Sequence, residues 1–126
     1  MIVASAPLRI SLGGGGTDLP AYASRFGGFV VSAAIDRRVH VAVGPRFDGR
    51  VRIAVDGHAS SPSAHVVEDA AQVPHPIVRE ALALLAIGSG IEVTSLAEIP
   101  PGSGLGGSSA FTVALLTALH AHRGAV

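Results

Sequence analysis

The most informative segment of the chain reads Ile99-Pro100-Pro101-Gly102-Ser103-Gly104-Leu105-Gly106-Gly107-Ser108-Ser109-Ala110. A β-branched apolar run precedes it and an apolar helical run follows, which predicts a glycine-rich loop between a strand and a helix. Glycine permits positive φ angles and lets a bulky anion approach the backbone closely. The helix start adds unpaired N–H groups and the positive end of its dipole. The segment therefore predicts a phosphate site, whereas a plain flexible connector would need fewer glycines.

The type of phosphate loop follows from what the segment lacks. A Walker A loop ends in Gly-Lys-Ser/Thr, but here Gly107 runs directly into Ser108. The glycines do satisfy the dinucleotide pattern G-x-G-x-x-G, which normally carries an acidic residue about 20 residues further on. Nothing after Glu98 is acidic. A dinucleotide-binding oxidoreductase therefore remains only as an alternative.

A second glycine-rich segment lies near the N-terminus. Residues 8–12 alternate between apolar and polar side chains, which predicts a half-buried strand. Glycines at 13–16 end this strand and are followed by Thr17 and Asp18. A short carboxylate fixed beside tight backbone is suited to accept hydrogen bonds from vicinal hydroxyls. The structural alternative is that Asp18 caps a short helix running through Tyr22.

Both segments resemble motifs of the GHMP kinases, the superfamily that includes galactokinase, homoserine kinase and mevalonate kinase. Residues 100–110 resemble the ATP-binding loop, and residues 6–18 resemble the first motif, Pro-x-Arg-[Ile/Val]-x-x-x-Gly-x-x-x-Asp. Gly15 and Gly16 replace the Glu-His pair of galactokinases, which disfavours D-galactose. The run Gly-Gly-Gly-Thr-Asp looks more like the branch of heptose 7-phosphate kinases, which phosphorylate an anomeric oxygen.

The resemblance implies ATP and Mg²⁺ as cofactors and assigns roles to individual residues. The ATP phosphates would be held by Pro101, Gly102, Ser103, Gly104, Leu105, Gly106, Gly107, Ser108 and Ser109. The hydroxyl of Ser108 aligns with the serine that reaches magnesium. A sugar or sugar phosphate would be bound by Gly14, Gly15, Gly16, Thr17 and Asp18. Arg9 aligns with an arginine that supports the reaction centre, although an ordinary solvent-facing strand arginine is an equal alternative.

The same resemblance implies a fold and a domain organisation. The fold is an α/β two-layer sandwich like ribosomal protein S5 domain 2, with a mixed β-sheet and helices on one face. Family members are more than twice as long, and their catalytic aspartate aligns beyond Val126. We therefore expect residues 1–126 to be an incomplete N-terminal domain, either a fragment or a truncated reading frame, that is inactive alone.

Composition disfavours or excludes several other classes of protein. Nine basic and nine acidic residues cancel, so the sequence predicts no nucleic-acid partner. This balance disfavours a noncatalytic S5-like RNA-binding module, which is kept as an alternative. No apolar run approaches the roughly 20 residues of a membrane span, and without cysteine there are no disulfides or thiolate metal sites. We expect a cytoplasmic enzyme domain without a membrane partner, and the sequence does not predict its oligomeric state.

Periodicity predicts the remaining elements. Predicted strands cover residues 29–36, 39–43, 51–55 and 91–99, with a hairpin turn at Asp48-Gly49 between the second and third of these. Residues 56–74 read as a loop with a short helix near Ala64–Ala71. Helices are predicted from Pro76 to just before Gly88 and from Ser108 to Arg123. The six histidines show no metal-ligand spacing and are interpreted as solvated or core residues.

Overall fold

The computed structural model describes residues 1–55 and 63–124. Its strands are β1 (Ile2–Gly13), β2 (Val31–Pro45), β3 (Val51–Val55), β4 (Ser63–Val67) and β5 (Ile91–Ala97). Its helices are α1 (Pro20–Phe26), α2 (Pro76–Leu84) and α3 (Gly107–His122), with a short 3₁₀ turn at Ala70–Gln72.

The five strands form one mixed sheet in the order β1-β2-β5-β3-β4. All neighbouring pairs are antiparallel except β3 and β5, which run parallel. The central strand β5 is flanked on both sides, and its residues Ile91 and Val93 are fully buried. A β-branched strand of this kind suits the interior of a sheet. The predicted α/β fold with a mixed sheet is confirmed.

Helices α2 and α3 cover one face of the sheet and complete a single core. Helix α3 packs on β1 and β2 and also contacts α2. Its buried residues are Ala110, Phe111, Ala114, Leu115, Ala118 and Leu119. They recur at i, i+3 and i+4, the spacing of one broad helical face. Pro76 opens α2 as predicted, and Val78, Ala81 and Leu82 turn toward the same core.

Two predictions about strand connections are wrong. The turn at Asp48-Gly49 forms, but it does not join a hairpin, because β5 lies between β2 and β3. A turn motif reports only local geometry, whereas strand order depends on which apolar strand fills the middle of the sheet. The predicted strands 29–36 and 39–43 are one continuous strand, β2, whose exposed residues 36–38 do not interrupt it.

The predicted short helix near Ala64–Ala71 is also wrong. Residues 63–67 form β4, which pairs with β3 at the edge of the sheet, and only a 3₁₀ turn follows. The alanine at 64 favours a helix locally, but pairing with β3 overrides that weak preference. The predicted loop residues 56–62 lie outside the described residues.

Candidate functional site

The loop between β5 and α3 adopts the left-handed geometry that its glycines predict. Gly102, Gly104 and Gly106 have φ angles of 82°, 74° and 78°. A Cβ atom added to Gly102 or Gly104 would meet no atom within 4 Å, so the loop backbone faces open space there. Side chains rarely adopt these angles, which explains the glycines, and the open space leaves the backbone accessible to a ligand.

The start of α3 offers its backbone amides to this space. Gly106 is the N-cap residue, and no side chain caps the helix. The first helical hydrogen bond runs from the N–H of Ala110 to the carbonyl of Gly106 at 3.0 Å. The preceding N–H groups, of residues 107–109, therefore have no carbonyl acceptor within the helix. Together with the helix dipole they form an anion-binding position.

Arg9 joins the first strand to this loop. Its backbone N–H donates to the carbonyl of Leu105 at 2.9 Å. Its side chain lies against Gly106, where an added Cβ would be 3.1–3.2 Å from the arginine side chain. A guanidinium beside an uncapped helix start adds a full positive charge to the partial charges of the amides. The predicted Arg9 and the predicted glycine loop are thus brought together.

The loop forms one wall of a cavity of about 560 Å³. The polar and glycine residues of the lining are Arg9, His75, Ser95, Gly102, Ser103, Gly104, Gly106, Gly107, Ser108 and Ser109. The apolar residues that line it are Leu8, Val39, Val55, Ile77, Ala97, Ile99 and Phe111, together with both prolines of the loop. Among the described lining residues none is acidic. The cavity therefore combines an electropositive wall with an apolar one, as sites for phosphorylated organic ligands do.

Sequence reasoning assigned no site role to His75, which lines this cavity. It is the N-cap of α2, and its Nδ1 accepts a hydrogen bond from the N–H of Val78 at 3.4 Å. The ring lies 5.4 Å from that of Phe111, centroid to centroid. Burial lowers the pKa of His75, and a backbone hydrogen bond opposes that shift. Pro76 at the first helical position marks residue 75 as a cap, but only the tertiary structure places the ring in the cavity.

The second predicted site, residues 14–18, forms a tightly hydrogen-bonded loop. The hydroxyl of Thr17 lies 2.7 Å from the carbonyl oxygen of Gly14 and 3.0 Å from that of Phe29, and it accepts the N–H of Phe29 at 3.0 Å. An added Cβ on Gly14 would be 1.9 Å from the carbonyl oxygen of Phe29, and one on Gly28 would be 2.3 Å from that of Thr17. Only glycine allows these backbones to approach so closely.

Asp18 is exposed and does not cap α1. Its carboxylate accepts the N–H of Gly16 at 3.1 Å, within its own loop. The N-cap of α1 is Leu19, which makes no side-chain cap hydrogen bond. The capping alternative is therefore wrong. The carboxylate keeps one oxygen that this bond does not use. Residues 14–18 do not line the cavity described above.

Two further observations concern the described part of the chain. Within residues 1–55 and 63–124, no three histidine, cysteine, aspartate or glutamate side chains are grouped so that they could hold a metal ion. No helix among these residues has the length and apolar character needed to cross a membrane.

The chain is similar to known proteins over nearly its whole length. Residues 72–125 match the model of the GHMP kinases N terminal domain. The chain is 26% identical over 132 residues to D-glycero-alpha-D-manno-heptose 7-phosphate kinase of Campylobacter jejuni, which covers 89% of this chain and 35% of that protein. It is 32% identical over 143 residues to L-fucokinase/L-fucose-1-P guanylyltransferase of Bacteroides fragilis, covering 91% of this chain and 15% of that protein.

A solved structure shows the same fold. The D-glycero-D-manno-heptose 1-phosphate kinase from Bacteroides thetaiotaomicron superposes with a TM-score of 0.83 at 22% identity, covering 98% of this chain and 42% of that one. The chain thus spans well under half the length of each of these three proteins.

Proposed function

We propose that the chain is a member of the GHMP kinase superfamily, whose N-terminal domain model it matches, and that it forms the ATP-binding part of a sugar kinase acting in the cytoplasm. Such an enzyme transfers the γ-phosphoryl group of ATP to a sugar hydroxyl. The observation that carries the proposal is the uncapped start of α3 beside Arg9, at the mouth of a cavity with one polar and one apolar wall. Phosphoryl transfer depends mainly on positioning and on neutralising charge, and these groups can supply both.

The residues that line the cavity fit a nucleoside triphosphate. The amides of residues 107–109 and the open backbone at Gly102 and Gly104 can donate hydrogen bonds to phosphate oxygens. The apolar wall can shield the rest of the nucleotide from water. At about 560 Å³ the cavity falls within the range of small-ligand sites.

The fit to Mg²⁺ rests on Ser108. Ser108 lies in the first turn of α3 and lines the cavity beside the proposed phosphate position. Mg²⁺ usually keeps several waters and is shared between few protein ligands and the phosphates, so a single hydroxyl is an adequate protein contribution. When bound, the ion supplies neutralisation of the charge on the phosphate oxygens.

The contribution of Arg9 follows from its two contacts. The backbone bond to Leu105 fixes the position of the strand against the loop, and the guanidinium lies over Gly106. From there the side chain can stabilise the negative charge that gathers on the transferred group. This role supports the reaction centre and requires no proton transfer by Arg9.

The acceptor is proposed to be a sugar phosphate, bound through Thr17, Asp18 and the glycine backbone at 14–16. The exposed carboxylate of Asp18 has an oxygen free of the bond to Gly16, so it can accept hydrogen bonds from sugar hydroxyls. A heptose 7-phosphate phosphorylated at its anomeric hydroxyl is the specific candidate. It is supported by the name of the Campylobacter relative and by the glycines at positions 15 and 16.

Thermal shift measurements with a panel of acceptors test this assignment. We expect D-glycero-D-manno-heptose 7-phosphate to raise the Tm of the chain more than galactose or mevalonate does, because a ligand stabilises the state that binds it. Equal shifts with all three would refute the heptose assignment while leaving the ATP site untouched.

A turnover assay tests the expectation that these 126 residues alone are inactive. Purified chain incubated with Mg·ATP and the heptose phosphate should form no more phosphorylated sugar than a no-protein blank, since a reacting centre open to water lacks the preorganised environment that phosphoryl transfer needs. ATP-dependent phosphorylation of any sugar by this chain would show that the expectation is wrong.

A further inference from the structure

His75 occupies a position in the cavity that capping of α2 does not explain. A serine, threonine, aspartate or asparagine would cap the helix better than histidine does. Instead the chain places a half-buried imidazole there, tilted 57° against the ring of Phe111. Both rings line the cavity, together with Ile77 and Ile99.

The hydrogen bond at Nδ1 decides what the ring can offer to a ligand. Because Nδ1 accepts the N–H of Val78, the proton of the neutral imidazole is on Nε2. Burial lowers the pKa of His75, which favours this neutral form. The ring therefore carries a hydrogen-bond donor at Nε2, and Ser95 is the other polar lining residue outside the glycine-rich loop and Arg9.

The distance from the phosphate position suits a nucleotide. Phe111 follows Ser108 by three residues, which is just under one turn or roughly 4.5 Å along α3. The paired rings of His75 and Phe111 thus lie within about a turn of the amides that are proposed to hold the phosphates. A base attached through its ribose to those phosphates can reach them.

We propose that His75 fixes the base of the bound nucleotide, with Nε2–H donating a hydrogen bond to a ring nitrogen of the base. Phe111 packs against the imidazole at a tilted angle, and Ile77 and Ile99 add apolar lining. This inference rests on the proposed function, since it requires that the cavity bind a nucleotide. It makes His75 a specificity-determining residue that distinguishes a nucleotide from a bare polyphosphate.

The test compares Mg·ATP with inorganic tripolyphosphate, which has the phosphates but no base, by isothermal titration calorimetry. The variant is His75→Asn, because asparagine can still accept the N–H of Val78 and cap α2 while the ring is lost. The matched control is His120→Asn, which removes an exposed histidine from α3. The Tm of each variant reports whether the fold is retained.

We expect His75→Asn to weaken ATP binding about tenfold, equivalent to about 1.4 kcal/mol, and to leave tripolyphosphate binding within about twofold. His120→Asn should change neither. If His75→Asn leaves ATP affinity unchanged, or weakens both ligands equally, the inference about the base is overturned while the phosphate site stands. If the unmodified chain binds neither ligand, the proposed function fails and the inference fails with it.

Discussion

The backbone N–H of Arg9 donates to the carbonyl oxygen of Leu105 across 2.9 Å, which joins the first strand to the loop before the last helix. The side chain of Arg9 then packs on Gly106, the left-handed N-cap residue of that helix. Two distant segments of the sequence therefore fix one another at the proposed phosphate position. A site held this way is organised before ligand arrives, which lowers the entropic cost of binding.

Ser108→Ala should reduce the effect of Mg²⁺ on ATP affinity far more than Ser103→Ala does. Both serines line the cavity, but only Ser108 lies in the first turn of α3, where a hydroxyl would be able to ligate Mg²⁺ bound with ATP. Calorimetric titration of ATP with and without Mg²⁺ measures this difference. Equal magnesium dependence in the two variants would contradict the assignment of the metal contact.

Asp18→Asn should weaken binding of the heptose phosphate by roughly tenfold to a hundredfold and leave ATP affinity nearly unchanged. The amide keeps the acceptor for the N–H of Gly16 but loses charge-assisted bonds to hydroxyls, which are worth about 1.5–3 kcal/mol. Since Asp18 does not cap α1, the Tm should not fall. Calorimetry with the sugar phosphate checks the first expectation, and unchanged sugar affinity would remove Asp18 from the site.

Ala86→Gly should stabilise the chain by about 1 kcal/mol. Ala86 has a φ of 51°, a left-handed value that is costly for any residue with a Cβ. It ends α2 in a Schellman arrangement, in which the N–H of Ile87 bonds to the carbonyl of Leu82 and that of Ala86 to Ala83.

Thermal unfolding of Ala86→Gly should show a Tm several degrees higher. The matched control is Ala83→Gly, at an exposed position inside the same helix. This variant should lower the Tm, because glycine there only increases the backbone entropy that the chain loses on folding. A fall in Tm for Ala86→Gly would show that the left-handed angle is not strained.

Asp48 should make the stability of the chain depend on pH in the acid range. The guanidinium of Arg46 bonds to its carboxylate and holds the pKa of Asp48 far below the usual value, opposed only partly by desolvation. A folded pKa below the unfolded one means that this contribution is complete above about pH 4. It is lost as the pH falls below that value.

Tm measured from pH 6 to pH 2 checks the role of Asp48. The variant Asp48→Asn should show a shallower fall in Tm below about pH 4 than the unmodified chain. Asp36→Asn removes another exposed carboxylate from β2 and serves as the control. If the Tm of the Asp48→Asn variant falls with pH in parallel with that of the unmodified chain, Asp48 does not cause the pH dependence.

The elements that sequence reasoning predicted best are those whose pattern is local. The glycine loop at 102–107, α2 and α3 are encoded by residues close in sequence, through φ requirements, a proline at the helix start and a helical apolar face. The predicted hairpin at Asp48-Gly49 is wrong because β5 lies between β2 and β3, and its position depends on pairing between distant strands. A local turn pattern carries no information about which strands lie next to one another in the sheet.

The same distinction applies to the candidate site. Arg9 and the loop could be predicted because each lies in a compact motif, and their resemblance to known kinases added the order of the two motifs. His75 could not, since its role depends on Phe111 and on a cavity wall assembled from β3, α2 and the segment after β5. The glycine run at 13–16 predicts that β1 ends there, as it does at Gly13, but whether Asp18 caps α1 is decided only by the N-cap at Leu19 and by the hydrogen bond from Gly16.

Whether the start of α3 holds a nucleotide is tested by equilibrium binding of Mg·ATP and of NAD to the purified chain and to the variant Gly106→Val. A valine at this left-handed position would place its Cβ 3.1 Å from the side chain of Arg9, disturbing the helix start and the guanidinium together. We predict saturable binding of one Mg·ATP per chain, binding weakened at least about tenfold, or about 1.4 kcal/mol, in Gly106→Val, and no binding of NAD. NAD binding as tight as that of Mg·ATP, or Mg·ATP binding unaffected by Gly106→Val, would show that the start of α3 is not a site for the phosphates of ATP.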